Sequence, residues 1–255
     1  MGLHVGSSGS GPDLVLLHGW GMNASLWDDA VTGLMQQFRV HAVDLPGHGA
    51  SSTCTPYELD TVTAMLAAAS PPRATVCGWS LGGQLAMNWA LTRPGQVERL
   101  VLVAGTPRFV RGADWDYGIE AAVLDEYALS LAHDWRAAML QFNKLQAHGD
   151  RHSRTVSRRL RERLLAHGEP VAAALTAGLQ MLKETDLRAN LRHIAQPALL
   201  LHGACDAVVP LAAGEFLQRN LPRATLEVFA QTAHVPLVAQ PQRTARLIME
   251  FCRGT

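Results

Sequence analysis

The sequence has no paired cysteines. Cys54, Cys77, Cys205 and Cys252 form no CxxC and join no histidine cluster with metal-ligand spacing, so reduced thiols are expected rather than a zinc site or a disulfide framework. No apolar run approaches the ~18 residues of a membrane span. No Lys/Arg-rich leader precedes an apolar segment, so no secretory signal is expected. Met1-Gly2 opens as an N-myristoylation site would, but Gly6 stands where Ser or Thr is needed. Net charge is missing too: 22 Lys plus Arg balance 22 Asp plus Glu, which singles out no class of partner. There is no internal repeat and no low-complexity tract. A cytoplasmic monomer is expected, with no nucleic acid or membrane as partner and no metal or cofactor. With 255 residues, 48% of them hydrophobic, the chain can bury the core of one domain and still carry an insertion.

What is present is a rhythm of short apolar runs and helical segments. Leu14-Val15-Leu16-Leu17 is closed by His18-Gly19-Trp20-Gly21, and residues 40–43 are closed by Asp44-Leu45-Pro46-Gly47-His48-Gly49. Four-residue apolar runs ended by glycine suit buried strands of a parallel sheet. Residues 75–77 read as a third strand cut short at Gly78, with further strands at 100–103, 198–201 and 226–229. Helical spacing marks 25–38, 81–91 and 243–251, while the Gly/Ser-rich stretch 6–12 reads as a turn. Alternating strands and helices predict a mostly parallel sheet covered on both faces. Residues 111–188 break the rhythm, being helix-rich and strand-poor, and predict a helical lid inserted into a core of 1–110 and 189–255.

Gly78-Trp79-Ser80-Leu81-Gly82 is a G-x-S-x-G set between a strand and a helix. A tight strand-to-helix turn forces the serine into a strained, exposed conformation, which is the nucleophile elbow of an α/β-hydrolase fold. The helix starting at Leu81 points its N–H groups at the site, where they stabilise developing negative charge. Serine needs a base. In this fold the chain order is Ser, acid, His, and of eleven histidines only His234 lies beyond the candidate acid. That acid is Asp206, on the loop after strand 198–201, placed to fix the imidazole tautomer. Asp44 is the rival, but it precedes the serine and suits its own turn. The oxyanion donors are expected to be the N–H groups of Leu81 and Trp20. His18 is expected to hold its loop, and Trp79 to be either pocket wall or core.

With these residues assembled, the sequence resembles the pimeloyl-[acyl-carrier protein] methyl ester esterases of biotin synthesis. The likeness runs through Leu16-Leu17-His18-Gly19-Trp20-Gly21, the Asp44 and Ser80 motifs, 203–210, Ala233-His234, 142–146 and 181–188. It implies a serine carboxylesterase that releases methanol from pimeloyl methyl ester on acyl-carrier protein, without a cofactor. It also implies that the acyl chain lies against Trp20, Ser80, Leu81, Phe142, Asn143, Lys144, Leu145 and Gln146. The lid adds a charge pattern: 114–134 holds six acids and no Lys or Arg, whereas 136–163 holds eight Lys or Arg and two acids. If 151–166 is a helix, Arg151, Arg154, Arg158 and Arg161 share one side and Val156, Leu160 and Leu164 the other. Such an arginine face suits either plain solvation or docking of an acidic phosphopantetheine carrier. A general short-chain carboxylesterase, a thioesterase or C–C bond hydrolase of the same fold, and a silent binding protein are the competing readings.

Overall fold

The computed structural model describes residues 2–254, so Met1 and the two outermost bounds of the expected core, 1 and 255, lie outside it. Seven strands form one sheet in the order β1-β3-β2-β4-β5-β6-β7. They are β1 (Val5–Ser8), β2 (Asp13–Leu17), β3 (Arg39–Val43), β4 (Ala74–Trp79), β5 (Val97–Val103), β6 (Ala198–Gly203) and β7 (Ala224–Phe229). All neighbours are parallel except β1, which pairs antiparallel with β3. Every residue of β4 and β6 is buried, which requires cover on both faces and explains their unbroken apolar runs.

The helices that give this cover are α1 (Asp28–Leu34), α2 (Leu59–Ala68), α3 (Leu81–Thr92), α7 (Leu211–Asn220), the short α8 (Pro236–Ala239) and α9 (Pro241–Arg253). Helix α1 packs on α9, α2 packs on α3, and α3 lies against β4 and β5. Between β5 and β6 the chain makes α4 (Ala121–Gln146), α5 (Ser153–Leu164) and α6 (Ala172–Glu184), all within the span 111–188. Helix α4 is broken at Asp134 (φ −152°, ψ 94°), whose carboxylate accepts the Ala137 N–H at 3.1 Å and so caps a fresh helix start. Among the described residues no helix is long and apolar enough to cross a membrane.

Four expectations are corrected. The stretch 6–12 is not all turn, because Gly6 to Ser8 belong to edge strand β1. Strand β4 does not stop at Gly78 but continues through Trp79. The segment 25–38 is split into a 3-10 turn at Ala24–Trp27, capped by the Asn23 side chain, and the seven-residue α1. Helix α5 starts at Ser153, so Arg151 lies before it. The reason is local: Asp150 accepts the His152 N–H on its side chain (2.7 Å) and the Ser153 N–H on its carbonyl (3.1 Å), which makes it the turn that precedes the helix.

The sheet order fixes where chemistry can occur. From β2 the chain first moves to β3 on one side, then crosses to β4 on the other. The loops that leave β2 and β4 therefore diverge at their carboxyl ends, which opens a crevice at that switch point.

Candidate active site

Ser80 stands at the end of β4, in that crevice. Its backbone has φ 55° and ψ −116°, a region that L-residues avoid and that persists only when the surroundings impose it. The imposing contacts are backbone. A Cβ on Gly78 would strike the Gly82 carbonyl, and one on Gly82 would strike the carbonyls of Leu17 and His18. Those glycines let β4, the elbow and the β2 loop pack backbone to backbone. Gly19 completes the approach, since a Cβ there would lie 3.1 Å from Ser80 Cβ.

Three side chains converge. His234 Nε2 is 3.1 Å from Ser80 Oγ, and His234 Nδ1 is 2.8 Å from Asp206 Oδ2. Asp206 Oδ1 accepts the N–H groups of Val208 (2.9 Å) and Val209 (2.8 Å), so one carboxylate oxygen anchors the loop while the other meets the imidazole. The side chains of His234 and Asp206 are fully buried, and Ser80 keeps 7% exposure. With the Nδ1 proton given to Asp206, Nε2 is left as acceptor for the serine hydroxyl. His202 Nε2 lies 3.6 Å from Asp206, but its proton goes to the Val209 carbonyl at 2.8 Å, and burial lowers its pKa and keeps it neutral. The site thus has one imidazole able to take a proton from Ser80 and one carboxylate to hold the resulting cation.

The other loops explain why this geometry is rigid. His18 donates from Nδ1 to the Gly19 carbonyl (2.8 Å), and its Nε2 accepts the Leu45 N–H (2.9 Å). The second bond requires a neutral ring, since Nε2 can accept only when it carries no proton. Burial, aided by the neighbouring His48, holds the His18 pKa down at about 3. The β2 loop places the Trp20 N–H beside the elbow, and neither that N–H nor that of Leu81 is taken by another group among the described residues. Trp79 is wholly buried. Its indole N–H donates to the His234 carbonyl at 2.8 Å and its ring sits 5.3 Å from the imidazole, so it supports the histidine loop. Asp44 is elsewhere in the fold. It accepts the Ala24 (2.7 Å) and Ala50 (3.0 Å) N–H groups and makes no bond to His234. Burial works against its charge, but those two N–H bonds together with the nearby His18 and His167 lower its pKa on balance.

The segment 142–146, in the stretch expected to form a lid, divides by burial. Phe142, Asn143 and Gln146 are buried, Leu145 is half-buried and Lys144 is exposed. Phe142 packs edge-on against Trp20 at 5.0 Å, and Trp20 donates to the Leu175 carbonyl of α6 at 2.8 Å. Both polar atoms of Asn143 and Oε1 of Gln146 lack a protein partner, an unusual state for buried amides and one suited to a polar guest. Lys144 lines, together with Asn143, a groove of about 540 Å³ between α4 and α5 that Arg154, Arg158 and Arg161 also line. Arg151 is not part of that groove. It lies before α5 with its side chain 3.3 Å from Gln231.

Sequence reasoning missed Asp150. Its Oδ2 accepts the Ala233 N–H at 3.1 Å, while the Gln146 carbonyl accepts the His234 N–H at 3.1 Å, so the end of α4 clamps the histidine loop. The only sequence signal was an Asp two residues before His152 at a helix start, which says nothing of a partner 83 residues away.

Comparison with known proteins bears on this geometry. Residues 14–247 match the model of the alpha/beta hydrolase family. A Nitrosomonas europaea protein named pimeloyl-[acyl-carrier protein] methyl ester esterase is 45% identical over 94% of this chain and 96% of its own length. One of the same name from Vibrio vulnificus is 38% identical over 98% and 97%. An esterase from Exiguobacterium antarcticum superposes with a TM-score of 0.90 over 99% of this chain and 96% of its own, at 22% identity, which speaks for the fold alone. With a seven-stranded sheet of this order and relatives matched over nearly their whole length, the chain belongs to the alpha/beta hydrolase family and, within it, to the pimeloyl-[acyl-carrier protein] methyl ester esterases.

Proposed function

We propose that this protein is a serine carboxylesterase that hydrolyses the methyl ester of pimeloyl-[acyl-carrier protein] to the free acid and methanol, the step its relatives' name describes. The observation that carries the assignment of Ser80, His234 and Asp206 as the catalytic residues is their unbroken chain of contacts, 3.1 Å and 2.8 Å, at a strained elbow. Ser80 Oγ attacks the ester carbonyl carbon as its proton passes to His234 Nε2. Asp206 holds the imidazolium. The N–H groups of Leu81 and Trp20 receive the oxyanion. His234 then protonates the departing methoxide, and methanol leaves an acyl-Ser80. Water, giving its proton to His234, attacks that ester and releases the carboxylate with Ser80 restored. His234 returns the proton it took from water to Ser80 Oγ as the acid leaves, and the acid then loses its own proton to solvent, so the step calls for no cofactor.

The lid of 111–188 supplies selectivity in this reading. Trp20 and Phe142 bound the apolar part of the acyl site, and the unpartnered amides of Asn143 and Gln146 suit a polar end of the substrate. Lys144, Arg154 and Arg158 along the α4–α5 groove form the docking surface for the acidic carrier, with Arg151 outside it. The enzyme works as a cytoplasmic monomer. The test is direct: purified protein is incubated with pimeloyl methyl ester on acyl-carrier protein, and the acyl group is weighed by mass spectrometry. Demethylation that Ser80→Ala abolishes is expected, as is growth of an esterase-deficient biotin auxotroph on biotin-free medium. A protein that cleaves small esters but leaves the carrier-bound ester intact would be a general carboxylesterase instead.

A further inference from the structure

Three side chains outside the proposed chemistry meet at the end of β3. His4 Nδ1 lies 3.1 Å from Asp44 Oδ2, and His167 Nδ1 lies 3.5 Å from the same oxygen. All three ligand atoms fall within 4.8 Å of one another. They come from three separate segments: the stretch before β1, the loop after β3 and the loop between α5 and α6. Asp44 is fully buried and both histidines are exposed, so a carboxylate at the base faces two imidazoles at the rim. An adjoining cavity of about 230 Å³, lined by His4, Ser7, Ala24, Asp28 and His167, leaves room for water.

Hydrogen bonding alone accounts poorly for this arrangement. Asp44 Oδ2 accepts the Ala50 N–H at 3.0 Å and has His4 Nδ1 at 3.1 Å, whereas His167 Nδ1 stands 3.5 Å away without a hydrogen bond to it. A cation accounts for both rings, because each Nδ1 then offers a lone pair to the metal instead of a proton to the oxygen. The distances fit. Ligand bonds of about 2.1 Å in tetrahedral coordination put neighbouring donor atoms about 3.4 Å apart. Gly49 makes the approach possible: at φ 54° a side chain is disfavoured, and a Cβ there would fall on the Asp44 carboxylate. Two nitrogens and one oxygen, with an open side to solvent, suit zinc over calcium or magnesium, which prefer all-oxygen shells.

We infer that His4, Asp44 and His167 form a zinc site, completed by water, that staples the α5–α6 loop of the lid and the N-terminal segment to the end of β3. The site is structural. None of its ligands belongs to the machinery assigned to Ser80, and zinc takes no part in ester cleavage.

The experiment is calorimetric titration of chelator-treated protein with zinc chloride, paired with melting curves. One zinc per chain is expected. His4→Ala and His167→Ala should each weaken binding on the order of 100-fold, because each removes one of three protein ligands. His148→Ala, on the α4–α5 groove, should bind as wild type. Zinc at about 100 times its Kd should raise the wild-type Tm by roughly 5–10 °C and leave the two ligand variants nearly unmoved. Both ligand variants replace exposed histidines and keep the fold, which circular dichroism and activity on small esters verify. Substitution by cobalt should give the intense visible bands of four-coordination in wild type only. No saturable binding, or binding that survives both His4→Ala and His167→Ala, would overturn the inference.

Discussion

Replacing Asp206 by Asn tests the proposed mechanism most sharply, because the structure dictates what the change preserves and what it reverses. Asp206 Oδ1 accepts the Val208 and Val209 N–H groups, and Oδ2 accepts the His234 Nδ1–H. An asparagine has one acceptor, and the two backbone N–H groups claim it. Its NH₂ group must then face His234. Two donors cannot share a hydrogen bond, so the ring gives up its Nδ1 proton and carries one on Nε2, the atom 3.1 Å from Ser80 Oγ. The base is then in the wrong tautomer to accept the serine proton. A loss of about 10⁴ in turnover follows, about 5 kcal/mol of transition-state stabilisation. Stability should change little, since no volume is lost and the loop keeps its Val208 and Val209 bonds. The assay is p-nitrophenyl ester hydrolysis beside circular dichroism and a urea melt. A folded Asp206→Asn enzyme within about tenfold of wild type would refute the tautomer argument, and a loss of 10⁴ in Asp44→Asn instead would transfer the acid role to Asp44.

Ser80→Ala and His234→Ala should each lower turnover by about 10⁴ to 10⁶, and the double variant should be little worse, because the members act as one unit; additive losses measured in the same assay would speak against a shared mechanism. Arg154→Glu with Arg158→Glu should slow cleavage of the carrier-bound ester while small esters react as before, and should flatten the fall in rate between 0.1 and 1 M salt, where the Debye length shrinks from about 10 to about 3 Å; equal slowing of both substrates would make these arginines structural. Asp150→Ala leaves the buried Ala233 N–H without its acceptor, so a stability loss of about 1–3 kcal/mol and a lower kcat are expected from melting and kinetics, and an unchanged Tm would remove the clamp. His18 is buried neutral with a pKa near 3 against 6.5 when unfolded, so the unfolded chain binds more protons between those values and stability must fall as pH drops from 6.5, by up to about 1.4 kcal/mol per pH unit. His48 and His202 are also shifted down by burial and steepen the same slope, so unfolding free energies that stay flat from pH 6.5 to 4 would contradict the neutral His18 bridge.

The sheet and the candidate triad were readable because their determinants are local. Strands β2, β3, β5 and β6 carry apolar runs ended by glycine or a polar loop, and Ser80 sits in a pentapeptide whose Gly78 is set by contact with Gly82 four residues on. Gly78 misled for the same reason. As a lone letter it reads as a stop, whereas in the fold it is the residue that lets β4 run on against α3. Strand β1 could not be read at all. Its Gly6-Ser7-Ser8 carry no apolar alternation, and it forms because β3 offers a free edge at 40–43. Helix α2 was missed because its buried set of Val62, Thr63, Leu66 and Ala67 is short and half of it is small or polar. Arg151 was assigned to a helix by spacing, which cannot see that Asp150 uses its carboxylate to start the helix two residues later.

Asp150 also ties the segment between β5 and β6 to the His234 loop. The histidine loop is held on two sides. From the core, the Trp79 indole donates to the His234 carbonyl; from the lid, the Gln146 carbonyl takes the His234 N–H, and Asp150 takes the next N–H back, that of Ala233. The end of α4 is thus tied to the His234 loop: swinging it outward would break one backbone bond, His234 N–H to Gln146, and one bond from the Ala233 N–H to the Asp150 carboxylate. Admission of an acyl chain must therefore leave that end in place. Residue Asp134 divides α4 into two segments, and the segment before it carries Leu129, the most exposed large apolar residue of the core-forming types, at 74%. A break in the i to i−4 ladder is where a helix bends at least cost. The half of α4 before Asp134 still buries Leu124 and Leu131 and sets Tyr127 against Phe142 at 5.5 Å, while the half after it carries Phe142, Asn143 and Gln146 toward the His234 loop.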